Sequence, residues 1–244
     1  MDAYNVKEIL YKDGTVDTRI YKHDVFNIHY LERKKKNKEK SEEETEDNIR
    51  RSVSRTIQKI YEVARNETWE WFLTLTFSPD KVDRYNYNQC SKKLSYWLNN
   101  IRKRCPNMKY LIVPEMHKDG AWHFHGLLSN IDNLDIVSSG IYDSKGKKIY
   151  NLNAYKWGFS TLTAVNNNEA VTKYILKYIT KEVSVTAKGK KKYWVSRNVE
   201  RPCAVYSEVT EEEKCFMWQE LMEDCDYSKI LYNKFNSVMY FQNK

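Results

Sequence analysis

Long apolar runs are missing from this chain of 244 residues: no stretch approaches the roughly 20 apolar residues that cross a bilayer. The opening MDAYNVKEILYKDG has no apolar core behind a basic start, so no secretory signal is expected and the protein is expected in the cytoplasm. Cysteine is sparse. Cys90, Cys105, Cys203, Cys215 and Cys225 are odd in number, scattered and never spaced as CxxC, which argues for reduced thiols and against a structural zinc site. Only 7 glycines are present and no GxxxxGK[ST] run occurs, so a phosphate-cradling loop of that kind is excluded and no nucleotide cofactor is expected.

What the chain does hold is ring area and positive charge. Its 19 Tyr, 8 Phe and 7 Trp can fill a core, and a chain of this length can bury one. With a mean hydropathy of −0.78, these numbers describe a soluble globular domain with short appendages and exclude disorder over the whole length. Lys and Arg total 41 against 33 Asp and Glu, a net charge of +8. That balance is compatible with a polyanionic partner, and a solvated basic surface satisfies it equally well.

Along the chain, residues 1–47 read as an appendage: a short hairpin across VKEILYKDGTVDTRIY, turning at Asp13-Gly14, then the solvated charge block ERKKKNKEKSEEETED. From Asn48, Val53, Ile57, Ile60, Tyr61 and Ala64 recur at three and four, which predicts an amphipathic helix with an Arg-rich outer face. WEWFLTLTFSPD alternates as a strand does and stops at turn residues; NQCSKKLSYWLNNIRKRC has helical spacing and ends before Pro106. MKYLIVPEMH and AWHFHGLL are strand-like and joined by Lys118-Asp119-Gly120, which predicts an antiparallel hairpin. A polar insertion at 129–160 contains a small hairpin, GIYDSKGKKIYNLN. FSTLTAV then reads as a strand, NEAVTKYILKYITKEV as a helix, AKGKKKYWVSRN as exposed and basic, and 208–232 as a C-terminal helix. The expected division is 1–47, a central domain at 48–185, and a basic loop with helical extension at 186–244.

Two constellations carry chemistry. His123 and His125 flank Phe124 in a strand, so their imidazoles share one face, and two such rings can hold one divalent cation. Glu115 on the preceding strand could add an oxygen, leaving positions open for water and substrate, a donor set suited to Mg²⁺ or Mn²⁺. His117 is a rival ligand, two residues from Glu115. The bland alternative is an ordinary pair of polar strand histidines. In KYILKYITK, Tyr174, Lys177, Tyr178 and Lys181 fall within one helical stripe roughly 100° wide, beside an apolar stripe of Val171, Ile175 and Ile179. A phenol near an activated phosphate and an ammonium can attack phosphorus, although in a chain with 19 Tyr such a pair usually packs.

Together and in this order, these elements resemble the HUH endonuclease superfamily, and within it the rolling-circle replication initiators of phages, plasmids and small single-stranded DNA viruses. FLTLTF (Phe72 to Phe77) is similar to the first motif, His123-Phe124-His125 to the His-hydrophobe-His motif, and YILKYITK to a duplicated Tyr-x-x-Lys motif. The resemblance spans about residues 48 to 185. It implies an α+β fold, a central antiparallel palm-like sheet flanked by helices, with the catalytic tyrosines on a helix beside the sheet. It implies that His123, His125 and Glu115 hold Mg²⁺ or Mn²⁺, and that Tyr174 or Tyr178, assisted by Lys177 and Lys181, attacks a phosphate of single-stranded or supercoiled origin DNA. The products would be a 5′-phosphotyrosine and a free 3′-OH for a host polymerase, with unwinding by a host helicase, since no helicase motif is present.

Other readings stay open. A conjugative relaxase or single-strand transposase would use similar groups, but relaxases place the tyrosine before the histidines. A non-catalytic nucleic-acid-binding sheet would account for WEWFLTLTF alone, and a water-using metallohydrolase would leave the tyrosines as packing. For DNA contact, Lys188 to Trp194 and the Arg-rich helix at 50–65 are the candidates.

Overall fold

The computed structural model describes residues 3–26, 42–144, 146–182, 190–232 and 236–243, with backbone alone at 42–47 and 179–182. In chain order the elements are β1 (Ala3–Leu10), β2 (Val16–Phe26), α1 (Glu42–Asn66), β3 (Trp71–Phe77), α2 (Tyr87–Arg104), β4 (Lys109–Met116), β5 (Trp122–Ser129) and β6 (Ile136–Tyr142). There follow β7 (Lys148–Leu152), β8 (Gly158–Ala164), α3 (Asn168–Glu182), β9 (Trp194–Val195), β10 (Cys203–Ser207), α4 (Glu211–Asp224), β11 (Tyr227–Tyr232) and β12 (Ser237–Asn243). The fold is α+β, as expected, with two antiparallel sheets in two compact units: 1–39 with 201–244, and 40–200. No described helix is long and apolar enough to cross a membrane.

The larger unit is built on a seven-stranded sheet ordered β6-β7-β8-β3-β5-β4-β9. Strand alternation gives it two apolar faces. Leu73, Leu75 and Phe77 of β3, Phe124 and Leu128 of β5, and Ile112 of β4 pack against Leu94, Trp97, Leu98 and Ile101 of α2. That helix starts at Asn86, whose side chain accepts from the backbone N–H of Asn88 and Gln89, and its last turn carries Arg102, Lys103 and Arg104 beside the exposed carbonyls. On the opposite face Leu111, Val113 and Leu127 meet Ile60, Val63 and Ala64 of α1 and Val171 and Ile175 of α3. At about 1.5–3 kcal/mol per fully buried large apolar side chain, these layers supply the main force that holds the sheet between its helices.

The expected hairpin at 129–160 is present as β6 and β7, but it extends the main sheet through the pairing of Tyr150 with Leu162 on β8. The segment read as exposed and basic near 190 is corrected at Trp194, which is buried, pairs with Ile112 as part of β9, and donates from its indole to Ser95. The expected charged linker and the start of the basic loop fall largely at 27–41 and 183–189, outside the described residues.

The smaller unit is a five-stranded sheet ordered β10-β1-β2-β12-β11, with Val6, Ile20 and Phe241 at its centre and Met217 and Leu221 of α4 packed on them. The β1–β2 hairpin turns at Gly14 (φ 83°), as Asp13-Gly14 predicts. The helix expected over 208–232 is shorter. It ends at Asp224, and the rest becomes β11, which pairs with β12. The two terminal segments, read from sequence as separate appendages, therefore share one sheet.

Candidate active site

The β4–β5 hairpin decides whether the carboxylate and the imidazoles meet. His117 N donates to Ala121 O and Gly120 N to His117 O, with Gly120 at φ 86°, a value that favours glycine. The resulting register sets Glu115 opposite His123 and Val113 opposite His125, so Glu115, His123 and His125 stand on one face. His125 Nε2 donates to Glu115 Oε2 over 2.6 Å.

From β3, Thr74 lies opposite His125 and Thr76 opposite His123. The Thr74 hydroxyl and His125 Nδ1 share a hydrogen bond of 3.1 Å, and the Thr76 hydroxyl and His123 Nδ1 one of 3.2 Å. Each imidazole is thereby fixed in orientation through one nitrogen, the usual arrangement for rings that ligate through the other. The sequence reading treats FLTLTF only as a strand beneath the site and misses these threonines. Their signal is alternation: Phe72, Thr74 and Thr76 share one face of β3.

The tyrosines arrive from α3. The Tyr178 ring stacks on His125 with centroids 3.8 Å apart and planes 18° apart, and its hydroxyl donates to Tyr174 over 2.5 Å. Phe72 lies under both, 5.0 Å from the Tyr174 ring and 6.3 Å from that of Tyr178. The apolar stripe of α3 predicted beside the tyrosines explains the placement, since Val171 and Ile175 are buried against the sheet. Lys177 is exposed on the same helix, and the Lys181 side chain lies outside the described residues.

His117 is exposed, with its ring 5.2 Å from that of His123 and its Nδ1 3.3 Å from Asp119. Asp119 also faces Arg84 at 3.4 Å, so His117 belongs to a second, more solvated pairing at the hairpin tip.

Charge follows this geometry. Burial raises the Glu115 carboxyl, but the hydrogen bond from His125 and the nearby His125, His123 and His117 outweigh it, and the group sits below its ordinary value. His123 is held below the usual imidazole value, by burial first and then by His117 and His125, with Glu115 and Asp119 pulling the other way. The Tyr178 phenol is pushed far up, by burial first, then by its hydrogen bond to Tyr174 and by the charges of Tyr174 and Glu115. At neutral pH the carboxylate is ionised and the phenol keeps its proton.

Among the described residues no three His, Cys, Asp or Glu side chains are spaced as a ready-made metal cage. In this arrangement Glu115 and His125 use their donor atoms on each other. The donor set itself, two oriented imidazoles and an ionised carboxylate on one face, fits a hard divalent cation.

Of the expected DNA contacts, Arg50, Arg51 and Arg55 are exposed on α1. Lys190 and Lys191 instead lie over the rings of Tyr87 and Trp194.

Residues 70–183, a little under half of the chain, match the model of the replication-associated protein ORF2 family. The match encloses β3, the histidine hairpin and α3, and it supports a role in starting DNA replication, with DNA as partner. No curated protein and no solved structure matches the chain.

Proposed function

We propose that the 40–200 unit is a metal-dependent enzyme that nicks and rejoins one DNA strand at a replication origin through a phosphotyrosine, and so initiates rolling-circle replication. The observation that carries this reading is the Tyr178 ring stacked on His125, which is itself bonded to Glu115. A nucleophile and a candidate ligand set, contributed by segments far apart in sequence, come into contact at one end of an otherwise apolar layer.

In the reaction the Tyr178 oxygen attacks phosphorus as its O–H bond breaks. The bond from phosphorus to the 3′ oxygen breaks in turn, and the departing oxygen takes up a proton. A 5′-phosphotyrosine and a free 3′-OH result. Because the phosphodiester is exchanged for a phosphotyrosyl ester, the reverse attack by a 3′-OH reseals the strand without ATP. The raised Tyr178 phenol stays protonated until attack, and its hydrogen bond to Tyr174 gives the proton a first acceptor. Tyr174 is the second nucleophile in this reading, and Lys177 and Lys181 stabilise phosphate charge. Mg²⁺ or Mn²⁺ held by His123, His125 and Glu115 would polarise a phosphate oxygen and stabilise the departing 3′ oxygen. Thr74, Thr76 and Phe72 keep the imidazoles and phenols in place, so that less reorganisation is needed at attack. The free 3′-OH would prime a host polymerase, with a host helicase opening the duplex.

The test is incubation of the whole chain with Mn²⁺ and single-stranded DNA from its own replicon, followed by denaturing electrophoresis and mass spectrometry. An adduct on Tyr174 or Tyr178 is expected. Cleavage without adduct would instead indicate a hydrolase, and binding without cleavage a binding module.

A further inference from the structure

Strand β8 borders the site from the side opposite the hairpin. Its pairing sets Phe159 opposite Thr76 and Thr161 opposite Thr74, the two threonines that hold His123 and His125. Residues opposite one another share a face, so Phe159 and Thr161 stand one strand away from the imidazoles on the same side of the sheet. The alternate residues Ser160 and Leu162 are buried toward α2, whereas Phe159 is 76% exposed and Thr161 is exposed as well. Across the sheet, Asn151 is exposed next to Tyr150, which pairs with Leu162, so it extends the same open face onto β7. A single exposed ring is common on protein surfaces. This one is held by strand register beside the candidate site.

The entrance to β8 is cationic. Ser78 N donates to Trp157 O, and Lys81 Nζ donates to Lys156 O over 2.9 Å, which fixes the loop after β3 against the start of β8. Lys81 and Lys156 are both exposed there. A ring that offers its face, neutral hydroxyl and amide groups beyond it, and two ammoniums at one end match an unpaired nucleic-acid strand. In a duplex the base faces are covered by their neighbours, so a ring on a sheet cannot reach them.

We infer that this open strip binds single-stranded DNA next to the scissile phosphate, with one base stacked on Phe159 and a neighbouring phosphate on Lys81 and Lys156. The choice of DNA rests on the nicking reading, and the location rests on the register of β3 with β8. Phe159 is on this account a substrate-positioning residue.

The experiment is fluorescence anisotropy of a labelled random-sequence single-stranded oligonucleotide with the whole chain in EDTA, so that binding is read without cleavage. Phe159→Ala is expected to weaken binding about tenfold, the effect of one lost base stack. Phe159→Tyr is expected to bind as the parent does, and the melting temperature of both variants to stay unchanged because the ring buries little. Lys81→Gln combined with Lys156→Gln is expected to flatten the salt dependence of binding. Unchanged affinity of Phe159→Ala, an equal loss for duplex of the same length, or no binding by the parent chain would each overturn the inference. The two readings separate cleanly. Ring-dependent binding without a Mn²⁺-dependent adduct sinks the nicking chemistry and leaves the strip standing, and an adduct with ring-independent binding does the reverse.

Discussion

The two faces of the seven-stranded sheet use the same strands for different ends. Toward α2, Leu73, Leu75, Phe77, Ile112, Phe124 and Leu128 make one continuous apolar layer. Toward α1 and α3 the layer is apolar only at one end, through Leu111, Val113 and Leu127; at the other end stand Glu115, His123, His125, Thr74 and Thr76. A slip of one residue in β5 would drive His123 and His125 into the α2 layer and expose Phe124. The register of the polar face is thus set by what the apolar face buries. The site is positioned from behind.

Variants on the two faces should therefore fail differently. The largest effect is expected for Tyr174→Phe with Tyr178→Phe, or for His123→Ala or His125→Ala alone: adduct formation falls to background on a denaturing gel, while the urea midpoint moves little. Phe124→Ala should do the opposite, costing about 3–5 kcal/mol in urea unfolding because it leaves a cavity under the hairpin. A Phe124→Ala chain as stable as the parent would dissociate the α2 layer from the register argument. Thr74→Val removes the hydroxyl that orients His125 and should lower metal affinity or nicking about 10–100-fold with little change in unfolding. Equal activity would show that the His125 ring is oriented by Tyr178 and Glu115 alone.

The smallest effect is on pH. The folded Glu115 carboxyl lies below its ordinary value, so its pairing with His125 adds stability in full above that ordinary value and loses it as pH falls through the depressed one. Glu115→Gln should weaken the drop in urea midpoint on acidification between roughly pH 5 and pH 3, a window set by the carboxylate range. An unaltered pH profile would place the acid sensitivity elsewhere.

Much of the site is legible in the sequence because its determinants are local. HFH in a strand, the Lys118-Asp119-Gly120 turn and the Tyr174–Tyr178 spacing each fix a relation within a few residues, and the hairpin register joins Glu115 to His123 as that turn suggests. What is not legible depends on distant pairing. Thr74 and Thr76 matter only because β3 lies beside β5, and nothing near them in sequence says so. Trp194 looks exposed in a run of lysines until β9 adds to β4. The sheet shared by the chain ends needs β2 to pair with β12 across almost the whole sequence, and the β-prone residues of 227–243 carry no local mark of that partner. The expectation of a helix to 232 fails for the same reason.

One outlying feature has a practical use. β6 and β7 close through the Asp143–Lys147 turn, where Asp143 N donates to Lys147 O and Gly146 N to Asp143 O, at the edge of the sheet farthest in strand order from β4 and β9. Extra chain placed there would lengthen a surface turn without entering either apolar layer, and lengthening a loop carries only a slowly growing entropic cost. The turn is therefore a point at which a dye, an affinity tag or a whole guest domain could be grafted while the histidine and tyrosine end is left intact.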